Sequence, residues 1–429
     1  MSSIALPQSP AAPLRRIVLL LAAAVFVNYV DRGAISTAAP LIKDALHLDH
    51  VQIGILLSAF FWSYMPAQFL AGWALQRYDV HRLMAAGLAL WSVATLAMGF
   101  ATSFATLLAL RLVVGLGESI TFPGNSQILA QFSDETRRAG ANGIVIAGSP
   151  LGQAFGTFAG GLLIAQVGWR ALFVAAGLLS LLWLLPWSEQ RLPKARPTAI
   201  AAQAPSFAQL LRCRALWGMA IGQFGYNYNL FFCLTWLPMY LVKDRGYAIG
   251  QMAAIGGAIY LTYAASSIVA GRICDRRVAA GVPLGRARKS SAVGGALGLA
   301  LCMALCAGAG PIASVTLLFA ASIFKGFCAA VNFSNAQTLA GPTAAGRWVG
   351  VQNGLGNVAG IIAPALTGVI VEWSGHYALA FVASAVAALV GAVGYGVIVR
   401  RIAPVDFTCA RMLRDRRGVG AHELSDGRT

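Results

Sequence analysis

Charge is what this 429-residue sequence has least of: Asp, Glu, Lys and Arg together make up 11%, and only 15 acids stand against 32 bases. Hydrophobic residues make up 58%, and the mean hydropathy is +0.69. That balance excludes an ordinary water-soluble domain and places the chain with polytopic membrane proteins. The sequence has no G-x-x-x-x-G-K-[ST] loop, and neither a catalytic His nor a Cys/His pair accompanies the polar residues of its apolar segments, which argues against a primary pump or a membrane enzyme. The seven cysteines are an odd number without a disulfide framework or CxxC spacing; Cys302 and Cys306, four apart on one helical face, read as small core residues. All five histidines fall in loops or the tail. The cluster Asp44, His47, Asp49 and His50 matches no standard metal spacing and reads as a solvated turn, so neither a metal nor a cofactor is expected.

What the sequence does have is apolar segments, at 17–38, 52–76, 83–103, 106–130, 140–165 and 170–188, then at 215–242, 250–273, 290–310, 312–337, 348–372 and 377–399. Each is close to the ~20 residues a helix needs to cross a bilayer. The first resembles a signal peptide but runs straight into Asp31 without a small-residue cleavage site, and so reads as a retained span. These segments predict an all-α membrane protein: a six-helix bundle over 1–188, a polar linker over 189–214, a second bundle over 215–400 and a basic tail over 401–429. With the N-terminus taken as inside, 25 of the 32 bases fall on one side, only Lys43, Arg170, Lys243 and Arg245 fall in the opposite loops, and three lie within segments. That asymmetry is the positive-inside rule, which puts both termini in the cytoplasm, while short loops without long outer-facing domains point to a bacterial inner membrane. The net charge of +17 thus sets orientation, and no nucleic-acid partner is needed to account for it. The expected partners are the lipid bilayer and a small substrate.

Five charges sit in the interior of the spans, away from their ends: Asp31, Arg32, Arg111, Glu118 and Lys325. Ionised groups at that depth are costly in lipid and normally face a bundle interior or a water-filled cavity. Arg111 and Glu118 are seven residues apart, two helical turns, hence on one face and about 10 Å apart along the axis. The halves also echo each other. Gly143, Gly161, Gly168, Ala171 and Leu172 recur as Gly350, Gly368, Gly375, Ala378 and Leu379; GWALQR from Gly72 to Arg77 matches GRICDR from Gly271 to Arg276; and Asn125-Ser126-Gln127 matches Asn335-Ala336-Gln337. Paired halves are the usual sign of a transporter built from repeats. Gly148, Gly152, Gly156 and Gly160 form a four-residue stripe, best read as packing for a neighbouring helix.

With twelve spans, a central linker and a G-x-x-x-D-R-like motif after spans two and eight, the sequence resembles the major facilitator superfamily. The stretches Asn28 to Arg32, Ser58 to Tyr64, Arg111 to Asn125, Tyr226 to Leu241 and Gly341 to Pro364 are similar to the anion:cation symporter family of sugar-acid permeases and sialin. The resemblance implies the major facilitator fold, two pseudo-symmetric bundles working as a monomer. It also implies a gating role for Gly72, Arg77, Gly271, Asp275 and Arg276, although the first motif copy has Gln76 where an acid is usual and Asp79 where glycine is usual.

The expected activity is proton-coupled symport of an organic anion, with the proton as coupling ion. Asp31 and Glu118 take and release protons, roles the resemblance supports, while Arg32 and Arg111 attract the carboxylate. Tyr29, Tyr64 and Ser149 match positions that line the site in galactonate-type members. Tyr226, Asn227, Asn332, Asn335, Asn353 and Asn357 are candidates for substrate hydroxyls, with helix-to-helix bonding the alternative. Lys325 is read in three ways: holding a second carboxylate, pairing with Glu118, or snorkelling along the helix flank. The structural alternative for Arg111 and Glu118 is a fixed ion pair stapling helices. A competing activity is drug efflux by proton antiport, but the span-five stretch Ser149-Pro150-Leu151-Gly152-Gln153 departs from the G-P-x-x-G-G signature of such exporters.

Overall fold

The structure, a computed structural model, describes residues 11–190 and 205–407. The rest of the expected first bundle, linker and tail, at 1–10, 191–204 and 408–429, lies outside the described residues. The described elements are helices in the order α1 (Ala11–Ala45), α2 (His50–Ala74), α3 (Val80–Met98), α4 (Phe104–Glu118), α5 (Thr121–Phe132), α6 (Arg138–Leu182), α7 (Leu184–Ser188) and a short α8 (Phe207–Leu211). There follow α9 (Arg214–Met239), α10 (Ile249–Ala279), α11 (Leu284–Cys306), α12 (Pro311–Gly356), α13 (Ala359–Ser374) and α14 (Ala378–Val393), with single π-helical turns ending α9 and α14.

Two of these helices are each a pair of crossings joined without a loop. α6 turns at Gly168, where φ is +84°, and α12 turns at Gly341, where φ is +71°, followed by Pro342. Only glycine takes that left-handed conformation without steric cost, and proline suits the first turn of the helix that resumes. Among the described residues nine stretches are apolar and long enough to cross a membrane, and Pro311–Ser374 is long enough to cross twice. The two remaining crossings, the first part of α6 and all of α9, are less apolar because their buried faces carry Asn142, Ser149 and Gln153, and Gln223, Asn227 and Asn229.

Two other crossings are broken rather than merged. α4 stops at Glu118 and α5 resumes at Thr121; α12 stops at Gly356 and α13 resumes at Ala359. Irregular backbone at membrane depth is tolerated where protein buries it or where it lines a cavity, and both breaks adjoin the polar centre described below. Caps are local. Asp49 accepts from the Gln52 amide at the start of α2, and Asp79 accepts from the Arg82 amide at the start of α3. The departure at Asp79 therefore has a structural reason.

One face of the molecule collects the basic loops. There Arg16 pairs with Glu189 at 2.6 Å, Lys289 donates to the Val399 carbonyl at 2.8 Å, and Arg347 donates to the Pro205 carbonyl at 2.5 Å. This end is called the basic face below. The two motif copies also meet their partners here, in matched pairs. Gly72 packs on the backbone of Arg347 while Gly350 packs on Gln68, and Gly271 packs on Ala139 while Gly143 packs on Ser267. The repeat read from the sequence is thus a repeat of inter-half contacts.

Candidate functional site

The charged centre lies inside the first six crossings, and Asp31, Arg32, Arg111 and Glu118 are all buried, none more than 7% exposed. Arg32 donates from Nε and Nη2 to Glu118 Oε2 at 3.1 and 2.9 Å. Its guanidinium also lies 4.7 Å from the ring centre of Tyr29, 4.5 Å from Phe60 and 4.9 Å from Tyr64. A planar cation surrounded by π-faces and a carboxylate is held in place by packing as well as by charge. The alternative staple between Arg111 and Glu118 does not form: Glu118 takes Arg32 from α1, and Arg111 lies 5.2 Å from the Phe60 ring centre. Seven residues of helix keep Arg111 and Glu118 too far apart to touch, whereas α1 crosses beside Glu118. Asp31 accepts from the Thr95 hydroxyl at 3.3 Å and lies within the electrostatic reach of Arg111 and Glu118.

The second half supplies amides. Asn353 Oδ1 accepts from Gln223 at 2.5 Å and from Asn357 at 3.0 Å, and Asn353 Nδ2 donates across the halves to the Tyr64 hydroxyl at 3.2 Å. Gln223 Oε1 accepts from Asn332 at 3.1 Å and Gln352 at 2.9 Å; Asn332 Oδ1 accepts from Gln352 and from the Tyr395 hydroxyl. Asn227 donates to the Gly356 carbonyl at 3.1 Å, at the break before α13. Buried networks of this kind fix side-chain positions when their members are satisfied. Asn332 is therefore occupied by helix-to-helix bonds. Asn335 is buried, 1% exposed, and is not among the residues lining the cavity between the halves.

Between the halves lies a small cavity of about 20 Å³, room for roughly one water molecule. Tyr29 and Ser149 line it from the first half, and Tyr226, Asn227, Asn353 and Asn357 from the second. Six of the expected substrate residues thus converge on one space. Tyr64, Arg32, Arg111, Asp31 and Glu118 are not among its lining residues; Arg32 adjoins it through Tyr29, whose ring centre lies 4.7 Å from the guanidinium. Lys325, 3% exposed, neither pairs with Glu118 nor snorkels; its ammonium stands 4.5 Å from the ring centre of Tyr263, which also lines the cavity.

Toward the basic face the halves are joined by polar contacts among the described residues. Asp275 accepts from the Ala139 and Gly140 amides at 3.2 and 2.6 Å, capping the start of α6. At the matching place in the other half the task falls to Gln127, which accepts from the Gly346 amide at 2.8 Å and donates to the Pro342 carbonyl at 2.6 Å. Gln76, which holds the motif position of Asp275, is buried and makes no such contact, its amide nitrogen lacking a partner. Gln337 bonds Asn142 and Ser126. Arg288, fully buried, donates to Glu135 at 3.1 Å and to Thr338 at 2.6 Å, and Glu135 also holds Arg138. Arg77 and Arg276 of the expected gating motifs are exposed, with Arg77 against Trp73.

The family profile of the Major Facilitator Superfamily matches residues 21–308. The chain belongs to the Major Facilitator Superfamily. It is 30% identical to the hexuronate transporter of Bacillus subtilis (strain 168) over 387 residues, 85% of this chain and 90% of that one. It is also 30% identical to the D-galactonate transporter of Escherichia coli O6:H1 over 426 residues, 92% of this chain and 98% of that one. Among solved structures, the proton:xylose symporter XylE bound to 6-bromo-6-deoxy-D-glucose covers 92% of this chain with a TM-score of 0.78 at 13% identity, a likeness of fold alone. As a facilitator-superfamily protein the chain is a multi-pass membrane transporter and not an enzyme.

Sequence reasoning missed several residues of this superfamily transporter's centre. Gln223 and Gln352 carried a signal, a polar side chain inside an apolar span, as did Thr95 more weakly. Glu135 and Arg288 carried none: each reads as a solvated loop charge, and 153 positions separate them.

Proposed function

We propose that this protein is a proton-coupled symporter that imports an organic anion of the sugar-acid class by alternating access, across a bacterial inner membrane with its basic face in the cytoplasm. The observation that carries this reading is the buried set of two acids and two arginines, with Arg32 bonded to Glu118 and stacked near Tyr29, and Tyr29 in turn lining a cavity that Ser149, Tyr226, Asn227, Asn353 and Asn357 share with apolar side chains. In such a set an arginine can serve either a carboxylate of the protein or a carboxylate of the substrate. Protonation of Glu118 frees Arg32 for the substrate; loss of the proton returns Arg32 to Glu118 and weakens the hold. Proton and anion therefore bind together and leave together, which is symport. Asp31 shares the proton load through the same field. Amides and hydroxyls from Tyr226, Asn227, Asn353 and Asn357 suit a polyhydroxylated chain, and similarity to hexuronate and D-galactonate transporters supports that substrate class.

The test is uptake of labelled galactonate and glucuronate by vesicles holding the purified protein, with and without an imposed inward proton gradient. Accumulation above equilibrium that collapses with a protonophore is expected. Accumulation indifferent to the proton gradient but driven by sodium would replace the coupling ion, and outward transport under both gradients would favour efflux.

A further inference from the structure

Lys325 is a buried ammonium without an acid. It is 3% exposed, and among the described residues no carboxylate lies within ion-pair distance and no hydrogen bond reaches it; its contact is the face of Tyr263. Taking a cation into a bundle interior without a counter-charge is costly, and such residues usually mark the path or site of an anion. The offset that relates Asn125 to Asn335 sets Lys325 opposite Gly115, between Arg111 and Glu118, so the second half presents its cation at the depth of the first half's charged centre. One aromatic ring, Tyr263, separates Lys325 from the cavity.

Charge counting then distinguishes substrate classes. Asp31 and Glu118 balance Arg32 and Arg111, so the charged centre of the first half is neutral when its acids are ionised, and Lys325 adds one positive charge. Loading one proton leaves two positive charges at this depth. A monoanion neutralises one of them; a dianion neutralises both, with one negative group held in each half. We infer that the substrate is an organic dianion, and that Lys325 is the specificity residue that receives its second negative group. This rests on the reading of the protein as a proton-coupled anion symporter. A dianion held by both halves also bridges them, so once the cavity has widened to admit it, its binding opposes their parting at the basic face.

The experiment compares labelled glucarate, a dianion, with labelled galactonate, a monoanion of the same chain length, in vesicles with an inward proton gradient. The wild type is expected to take up glucarate in preference, and its melting temperature in detergent is expected to rise more with glucarate than with galactonate at equal concentration. Lys325→Gln is expected to lower the glucarate-to-galactonate uptake ratio about tenfold or more, and Lys325→Arg to keep it. A wild type that transports galactonate but shows no preference for glucarate in either measurement overturns the inference and leaves the proposed function standing. So does a Lys325→Gln variant whose two rates fall together. A wild type that moves neither anion under any gradient sinks the proposed function, and the inference with it.

Discussion

At the residue scale, Arg32 is held by shape as well as charge. Its guanidinium donates twice to one oxygen of Glu118 while lying near the rings of Tyr29, Phe60 and Tyr64. A lysine keeps the charge but has neither the planar fork nor the stacking face. Arg32→Lys is therefore expected to cut proton-driven uptake tenfold or more while the protein still purifies as a monodisperse species, measured by vesicle uptake and size exclusion. Glu118→Gln acts on the partner. It leaves Arg32 buried without its carboxylate, a change that typically costs about 3–5 kcal/mol, and it removes a proton carrier. Proton-driven accumulation is expected to vanish while counterflow of anion for anion persists. Loss of counterflow together with a large fall in melting temperature would instead make the pair a structural staple. The sequence made these four charges conspicuous because each stands in an apolar span. It could not show that Glu118 takes Arg32 rather than Arg111, since that choice depends on how α1 lies against the end of α4, 86 residues away in the chain.

At the element scale, the glycine stripe of α6 sets how closely α1 approaches. A methyl group at Gly152 would run into the Phe26 carbonyl oxygen, one at Gly148 into that of Ala22, and one at Gly156 into that of Val30 at 2.7 Å. Gly161, on another face of the same helix, has nothing within 4 Å of that position. Overpacking a tight contact costs about 1–3 kcal/mol, while an exposed helical Gly→Ala gains up to about 1 kcal/mol. Gly152→Ala is expected to lower the melting temperature in detergent and Gly161→Ala to leave it unchanged or raise it. Equal melting temperatures would remove the stripe as a packing device. Crossings were legible as elements because their length and apolarity are set by the bilayer. Their ends were less so: the sequence separates the crossings on either side of Gly168 and Gly341, where a single left-handed glycine replaces a loop, and it runs continuously through the breaks after Glu118 and Gly356. Those breaks depend on tertiary partners for the freed backbone groups, which no local pattern encodes.

For the whole molecule, a cavity with room for about one water cannot pass a sugar acid, so the halves must part for transport. Opening toward the basic face must break the contacts of Asp275 with α6, of Gln127 with the start of the crossing after Gly341, and of Arg288 with Glu135. The last is the most sensitive. Arg288 is fully buried, so removing its carboxylate partner leaves a buried charge short of a counter-ion, whereas Glu135 is 42% exposed and solvent screens part of the loss. The net effect of Glu135→Gln is about 1–2 kcal/mol against the closed basic face, roughly a five- to thirtyfold change in population. Nitroxide labels at the exposed positions Arg82 and Arg286, one in each half, read this directly as a distance distribution. A longer-distance component is expected to grow in Glu135→Gln without substrate and to shrink when the saturating anion is added, because an anion bridging the halves opposes their parting at the basic face. If the distribution stays as in the wild type, the clasp does not hold the face shut, and the closing energy resides in the matched glycine contacts of Gly72 and Gly271.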